Sequence, residues 1–171
     1  SDRELFVMDI DGQNKKQITC TPESEGNAVW IDGGKQIAYL SGKSGDSQLW
    51  IMNADGSNAR QISYHEKGVH GFLFSPDEKH ILFIGNVKYS EKASDLYPDL
   101  DKATGRVIDD LMYKHWDEWV EEIPHPYIAS FDGKQLTDIT DIMEGEPYES
   151  PMKPFGGIES FAWTPDSKAV A

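Results

Sequence analysis

Apolar and polar positions alternate in short runs along most of the chain. Leu5-Phe6-Val7-Met8, Val29-Trp30-Ile31, Gln36-Ile37-Ala38-Tyr39-Leu40, Gln48-Leu49-Trp50-Ile51-Met52 and Ala59-Arg60-Gln61-Ile62 are rich in β-branched and aromatic residues, the composition of half-buried pleated strands. Between them lie Asp32-Gly33-Gly34, Ser41-Gly42-Lys43-Ser44-Gly45-Asp46 and Ala54-Asp55-Gly56-Ser57-Asn58, which carry turn chemistry. The pattern predicts short antiparallel strands. One stretch breaks it. From about residue 109 the period lengthens, and Ile108, Leu111, Met112, Trp116, Trp119, Val120 and Ile123 recur at helical spacing,. Asp109 and Asp110 suit a helix N-terminus and Pro124 stops the run,. These features predict an amphipathic helix over about 109–122, with a shorter one beginning near Ser94, together a helical insertion near 94–123.

The strand pattern repeats. Leu5-Phe6-Val7-Met8-Asp9-Ile10-Asp11-Gly12 matches Leu49-Trp50-Ile51-Met52-Asn53-Ala54-Asp55-Gly56, and a third copy runs through Tyr127-Ile128-Ala129-Ser130-Phe131-Asp132-Gly133. Ile18-Thr19, Ile62-Ser63 and Ile139-Thr140 follow at the same distance from each Asp-Gly. Four strands in about 40–45 residues is the unit of a β-propeller blade. The expected fold is therefore all-β, a partial β-propeller of about three blades' worth. Its parts are a part blade at 1–20, a blade at 27–63, a blade at 69–140 with an insertion at 86–124, and a part blade at 158–171. Closed rings need at least four blades, so the chain is expected to be a fragment of a larger propeller. Pairing of cut blade edges between two copies is one expected form of self-association.

Charge removes several classes. Sixteen Lys and Arg against thirty Asp and Glu give −14, and no basic patch offsets it, so nucleic acid and anionic membrane surfaces are not expected partners. No apolar run approaches the 18 or so residues of a membrane span, so a soluble protein is expected; no basic-plus-apolar leader is seen, so any export signal is expected to have been removed or never present. The single Cys20 offers neither an internal disulfide nor a metal cluster,, and no cofactor is expected.

The Asp55-Gly56-Ser57-Asn58 turn followed by Arg60-Gln61-Ile62-Ser63, with the strand openings Phe74-Ser75-Pro76-Asp77 and Trp163-Thr164-Pro165-Asp166, resembles the WD40-like repeat of TolB-type propellers. The insertion, from Asp95-Leu96-Tyr97-Pro98-Asp99-Leu100 through Asp110-Leu111-Met112-Tyr113-Lys114-His115-Trp116-Asp117, resembles the propeller domain of bacterial prolyl-oligopeptidase-family serine peptidases of the dipeptidyl aminopeptidase and acylaminoacyl-peptidase type. That resemblance implies a cap restricting access of short peptides to an α/β-hydrolase domain outside this chain, in a secreted or periplasmic protein. The alternative is a non-enzymatic TolB-like propeller that binds protein partners. No catalytic residue is assigned here. A nucleophile elbow needs Gly-x-Ser-x-Gly, and the nearest match, Gly42-Lys43-Ser44-Gly45-Asp46, ends in aspartate.

The resemblance further implies that Glu121-Glu122 are candidates for holding a peptide amino terminus, because two carboxylates offer charge and acceptors to an ammonium; adjacent helical positions diverge, however, and a solvated acidic helix end is the competing reading. Trp116 and Trp119 lie outside the repeat. They are expected either to pack the helix on its own blade, with Trp116 the more buried, or to contact a domain or partner beyond this chain. His115 and His125, with Asp117, Glu118 and Glu121 between them, lack a recognised metal spacing. Asp9-x-Asp11-Gly12 and Asn53-x-Asp55-Gly56 read as structural turns rather than calcium loops.

Overall fold

The computed structural model describes residues 3–100, 102, 104–106, 108 and 111–171. The chain begins with an antiparallel pair, β1 (Phe6–Val7) and β2 (Lys16–Gln17). A four-stranded meander follows: β3 (Glu25–Ile31), β4 (Gln36–Ser41), β5 (Gln48–Asn53) and β6 (Arg60–Gln61). A second sheet starts with β7 (Gly71–Phe74) and β8 (His80–Lys88). After a segment carrying α1 (Ala93–Leu96) and a hairpin of β9 (Lys114–His115) and β10 (Glu118–Trp119), it resumes with β11 (Glu122–Phe131) and β12 (Leu136–Asp141). The order is β7-β8-β11-β12, antiparallel throughout. Near the end, Trp163 bridges to Val170. The fold is an all-β partial propeller.

Strand alternation decides how the sheets stack. On β4 and β5, Ala38, Leu49 and Ile51 face the second sheet and close a core with Phe72, Ile81, Phe83 and Ala129. The intervening Ile37, Tyr39, Trp50 and Met52 form a second core on the opposite face, against Leu5, Val7 and Ile18 of the first strand pair. The central sheet is thus buried on both sides, which is why β5 reads as an unbroken apolar run.

The Asp-Gly turns share one geometry. Gly12, Gly56 and Gly133 have φ of +83°, +90° and +85°. At each turn the aspartate accepts a backbone N–H two residues on: Gln13 to Asp11, Ser57 to Asp55, Lys134 to Asp132, at 2.8–2.9 Å. They are Asx turns that hold the third and fourth strands together. A second device recurs seven residues before each turn aspartate. Glu4 accepts from Thr19 Oγ1 (2.6 Å) and the Thr21 N–H (3.0 Å). Gln48 accepts from Ser63 Oγ (2.7 Å) and the His65 N–H (3.1 Å). His125 Nδ1 bonds Asp141 Oδ2 at 2.8 Å. In all three, a polar side chain near the start of the third strand latches the end of the fourth.

Two expectations fail. No helix spans 109–122: Asp109 and Asp110 lie outside the described residues, and from Leu111 the chain forms a bend, the β9–β10 hairpin and the start of β11. Long-range pairing overrides the helical spacing, because β8 runs on to Lys88 and pairs Ile123 with Val87 and Glu122 with Lys88. Nor is Trp116 buried; it occupies the hairpin turn at φ +53° and is 77% exposed. The helix near Ser94 is a single turn, Ala93–Leu96. Tyr97 follows it as the C-cap. Among the described residues no helix is long and apolar enough to cross a membrane.

The turn glycines give a stability test. A Cβ on Gly56 would lie 2.6 Å from the Ile18 carbonyl oxygen, whereas one on Gly133 would meet nothing within 4 Å. Gly133→Ala should cost only the left-handed backbone penalty, about 1–2 kcal/mol. Gly56→Ala should cost a further 1–3 kcal/mol or so for the clash. Equal urea midpoints for the two variants would show that the Gly56 turn does not press on the first strand pair.

Candidate functional site

Antiparallel meanders send their connections alternately to two ends. The second-to-third and fourth-to-next connections therefore share one face. That face carries residues 42–47, 62–70, 89–121 and 142–162, which include the two longest connections. The loops are bonded to one another and to the start of β11. Val69 N–H donates to Ser47 O (2.7 Å), Ser150 N–H to Pro124 O (2.8 Å), and Lys67 Nζ reaches Glu122 Oε1 at 2.9 Å.

Two adjoining clefts open among them. The larger, about 430 Å³, lies between the β9–β10 hairpin and the 153–156 turn, with Trp116, Trp119, Glu118, Glu122 and Lys153 in its wall. The smaller, about 200 Å³, is walled by His70, Ile84, Asn86, Pro124 and Pro151 and shares Lys153 and Gly156 with the first. His115 Nε2 to Glu149 Oε2 (2.9 Å) and the edge-on rings of Trp116 and Phe155 (6.0 Å) tie the hairpin to the 142–162 loop.

Glu122 opens β11 and Glu121 lies in the bend just before it, and the two side chains take different partners. Glu122 faces the cleft. Desolvation opposes its ionised form, but hydrogen bonds from Lys67 and Asn86 prevail and hold its carboxyl below the usual range. Glu121 turns to the insertion, where Lys92 Nζ and Arg106 Nη2 each stand 2.6 Å from it. Those two partners also hold its carboxyl below the usual range. The two glutamates thus do not converge on one ligand. Trp119 lies under two cations, with Arg106 Cζ and Lys114 Nζ both 4.5 Å from its ring centre. Trp116 is the open aromatic of the cleft wall. His115 and His125 go to different carboxylates, Glu149 and Asp141.

Sequence reasoning missed Lys67, Asn86, Glu149 and Lys153. They come from separate elements far apart in the chain, and nothing in their local sequence marks them.

The division of labour between the glutamates is testable. Glu121→Gln removes two ion pairs that pin the insertion, each worth about 0.5–1 kcal/mol at such exposure. Trypsin cleavage after Lys92 and Arg106 should then quicken about two- to tenfold. Glu122→Gln should leave that rate unchanged. Equal cleavage in the two variants would contradict the assignment.

Comparison with known proteins places this geometry. The TolB beta propeller domain family matches residues 1–113. Dipeptidyl-peptidase 5 of Porphyromonas gingivalis is 58% identical over 169 residues, covering 99% of this chain and 25% of that protein. The chain spans about a quarter of the length of the curated relatives it matches over most of its own length. Among solved structures, an uncomplexed acylaminoacyl peptidase from Pyrococcus horikoshii aligns with TM-score 0.54 at 12% identity, over 80% of this chain and 20% of that one. A TolB structure from Agrobacterium tumefaciens aligns with TM-score 0.51 at 17% identity, over 78% and 39%. At those identities the structural likeness shows the fold, and with the match over residues 1–113 it establishes that this chain belongs to the TolB β-propeller domain family.

Proposed function

We propose that this chain is propeller from a secreted or periplasmic serine peptidase of the dipeptidyl type. In this reading the propeller restricts access to a hydrolase domain carried elsewhere in the protein and admits short peptides. The observation that carries the reading is the placement of Glu122 in the cleft on the loop-bearing face, in a chain 58% identical over nearly its whole length to a dipeptidyl-peptidase 5. A carboxylate has about four acceptor positions. Lys67 and Asn86 take one each in this structure, which leaves room for the N–H donors of a peptide ammonium. Glu122 is the anchor in this reading, and Glu121 is a positioning residue that holds the insertion. The exposed Trp116, with Trp119 beside it, supplies a wall for apolar peptide side chains or a contact for a further domain.

Kinetics on the full-length protein test the reading. Glu122→Gln should raise KM for dipeptidyl chromogenic substrates with a free amino terminus by about tenfold, with kcat changed less than about twofold, as expected for lost ground-state binding. N-acetylated counterparts should be indifferent to the change. An unaltered KM would remove Glu122 as an anchor. If the full-length protein resists a serine-reactive fluorophosphonate and cleaves none of these substrates, the non-enzymatic TolB-like reading replaces the peptidase.

A further inference from the structure

The cleft face has a second pole that an amino-terminus anchor leaves unused. Lys153 lines both clefts, and among the described residues it forms no ion pair. Its backbone N–H donates to Glu149 Oε1 at 3.1 Å, so the 153–156 turn is held while the ammonium remains uncommitted. In a chain of net charge −14, the smaller cleft has Lys153 and no carboxylate in its wall, whereas the larger also carries Asp117, Glu118 and Glu122.

Its neighbours fit an anion carrying an N–H group. His70 stands in the smaller cleft. Burial and the Lys153 charge lower its pKa, and the ring is hydrogen-bonded to the Lys67 backbone. In a neutral imidazole that bond takes the one N–H, so His70 shapes the wall beside Lys153 and offers no further donor. Asn86 spends its Nδ2 on Glu122, while its Oδ1 is buried with no hydrogen-bond partner. Buried acceptors are rarely left so, and a ligand N–H would satisfy this one.

We infer that Lys153 and Asn86, beside His70, form a carboxylate subsite that takes the C-terminal end of a short peptide. Lys153 meets the carboxylate as a point charge, and Asn86 Oδ1 accepts the amide N–H beside it. A C-terminal residue carries that carboxylate and that N–H together. The subsite rests on reading the cleft as a peptide site, and it would limit that site to peptides short enough to end inside it.

Calorimetric titration of the full-length protein tests this, after treatment with a serine-reactive fluorophosphonate so that no peptide is consumed. The probes are Ala-Ala-Ala, its C-terminal amide, and Ala-Glu-Ala amide. The free acid should bind about tenfold more tightly than the amide at low ionic strength, the order expected for one charge-assisted contact. Lys153→Gln should abolish the difference and Lys153→Arg should keep most of it. Lys134→Gln, on a distant turn, should change nothing. If acid and amide bind alike, the carboxylate subsite is wrong and the peptide site stands. If no probe binds, both are wrong. If Ala-Glu-Ala amide matches the free acid, the subsite takes acidic side chains and the C-terminal assignment is overturned.

Discussion

The structure depends on one contact, the inner face of the first meander laid against the inner face of the second. Ala38, Leu49 and Ile51 from one side and Ile81, Phe83 and Ala129 from the other are sealed to within 1% of full burial. The two alanines let the sheets approach; a larger side chain at either would hold them apart, because such cores are close-packed. Once the meanders are locked face to face, their connections must gather at common ends. The cleft, with Glu122 and Lys153 in its wall, is a consequence of that stacking.

The charge arrangement follows the same logic. The chain is strongly acidic, yet basic groups meet the carboxylates where the loops converge: Lys67 on Glu122, Lys92 and Arg106 on Glu121. Lys67 ties the 62–70 loop to the start of β11, and Lys92 and Arg106 tie the 89–121 connection to its own end, so charge holds the loop face together where apolar burial is thin. The aromatics there are mostly exposed; Trp116 is 77% and Phe155 84% open. Such a surface is suited to small ligands with separated charges more than to a large apolar partner.

Much of the architecture was legible in the sequence because the repeat constrains it twice, through strand alternation and through Asp-Gly turns that need a left-handed glycine. The latch residues Glu4, Gln48 and His125 were harder to see, since three different side chains do one job. The third copy shows where sequence matching ends. Ile139 matches Ile62 by position, but Ile62 is 2% exposed and Ile139 is 49%. A register shift between Ile128 and Ser130, with Asp138 at φ +50°, moves it off the core face. The helix expected over 109–122 failed for a related reason. Spacing reports local preference, whereas the partner of Glu122 and Ile123 is the end of β8, more than thirty residues earlier. The same pairing separates Glu121 from Glu122, which a helix would have kept on one exposed turn.

The account therefore stands on β11 beginning at Glu122 and running beside β8. Nuclear magnetic resonance of the isotopically labelled protein addresses this directly, through Cα secondary shifts over 111–123 and cross-strand contacts between Ile123 and Val87. Extended shifts at Glu122 and Ile123, with a strong contact between the backbones of that pair, are the expected result. Helical shifts continuing from Leu111 to Glu122, with no contact to Val87, would contradict it and return both glutamates to a common helix.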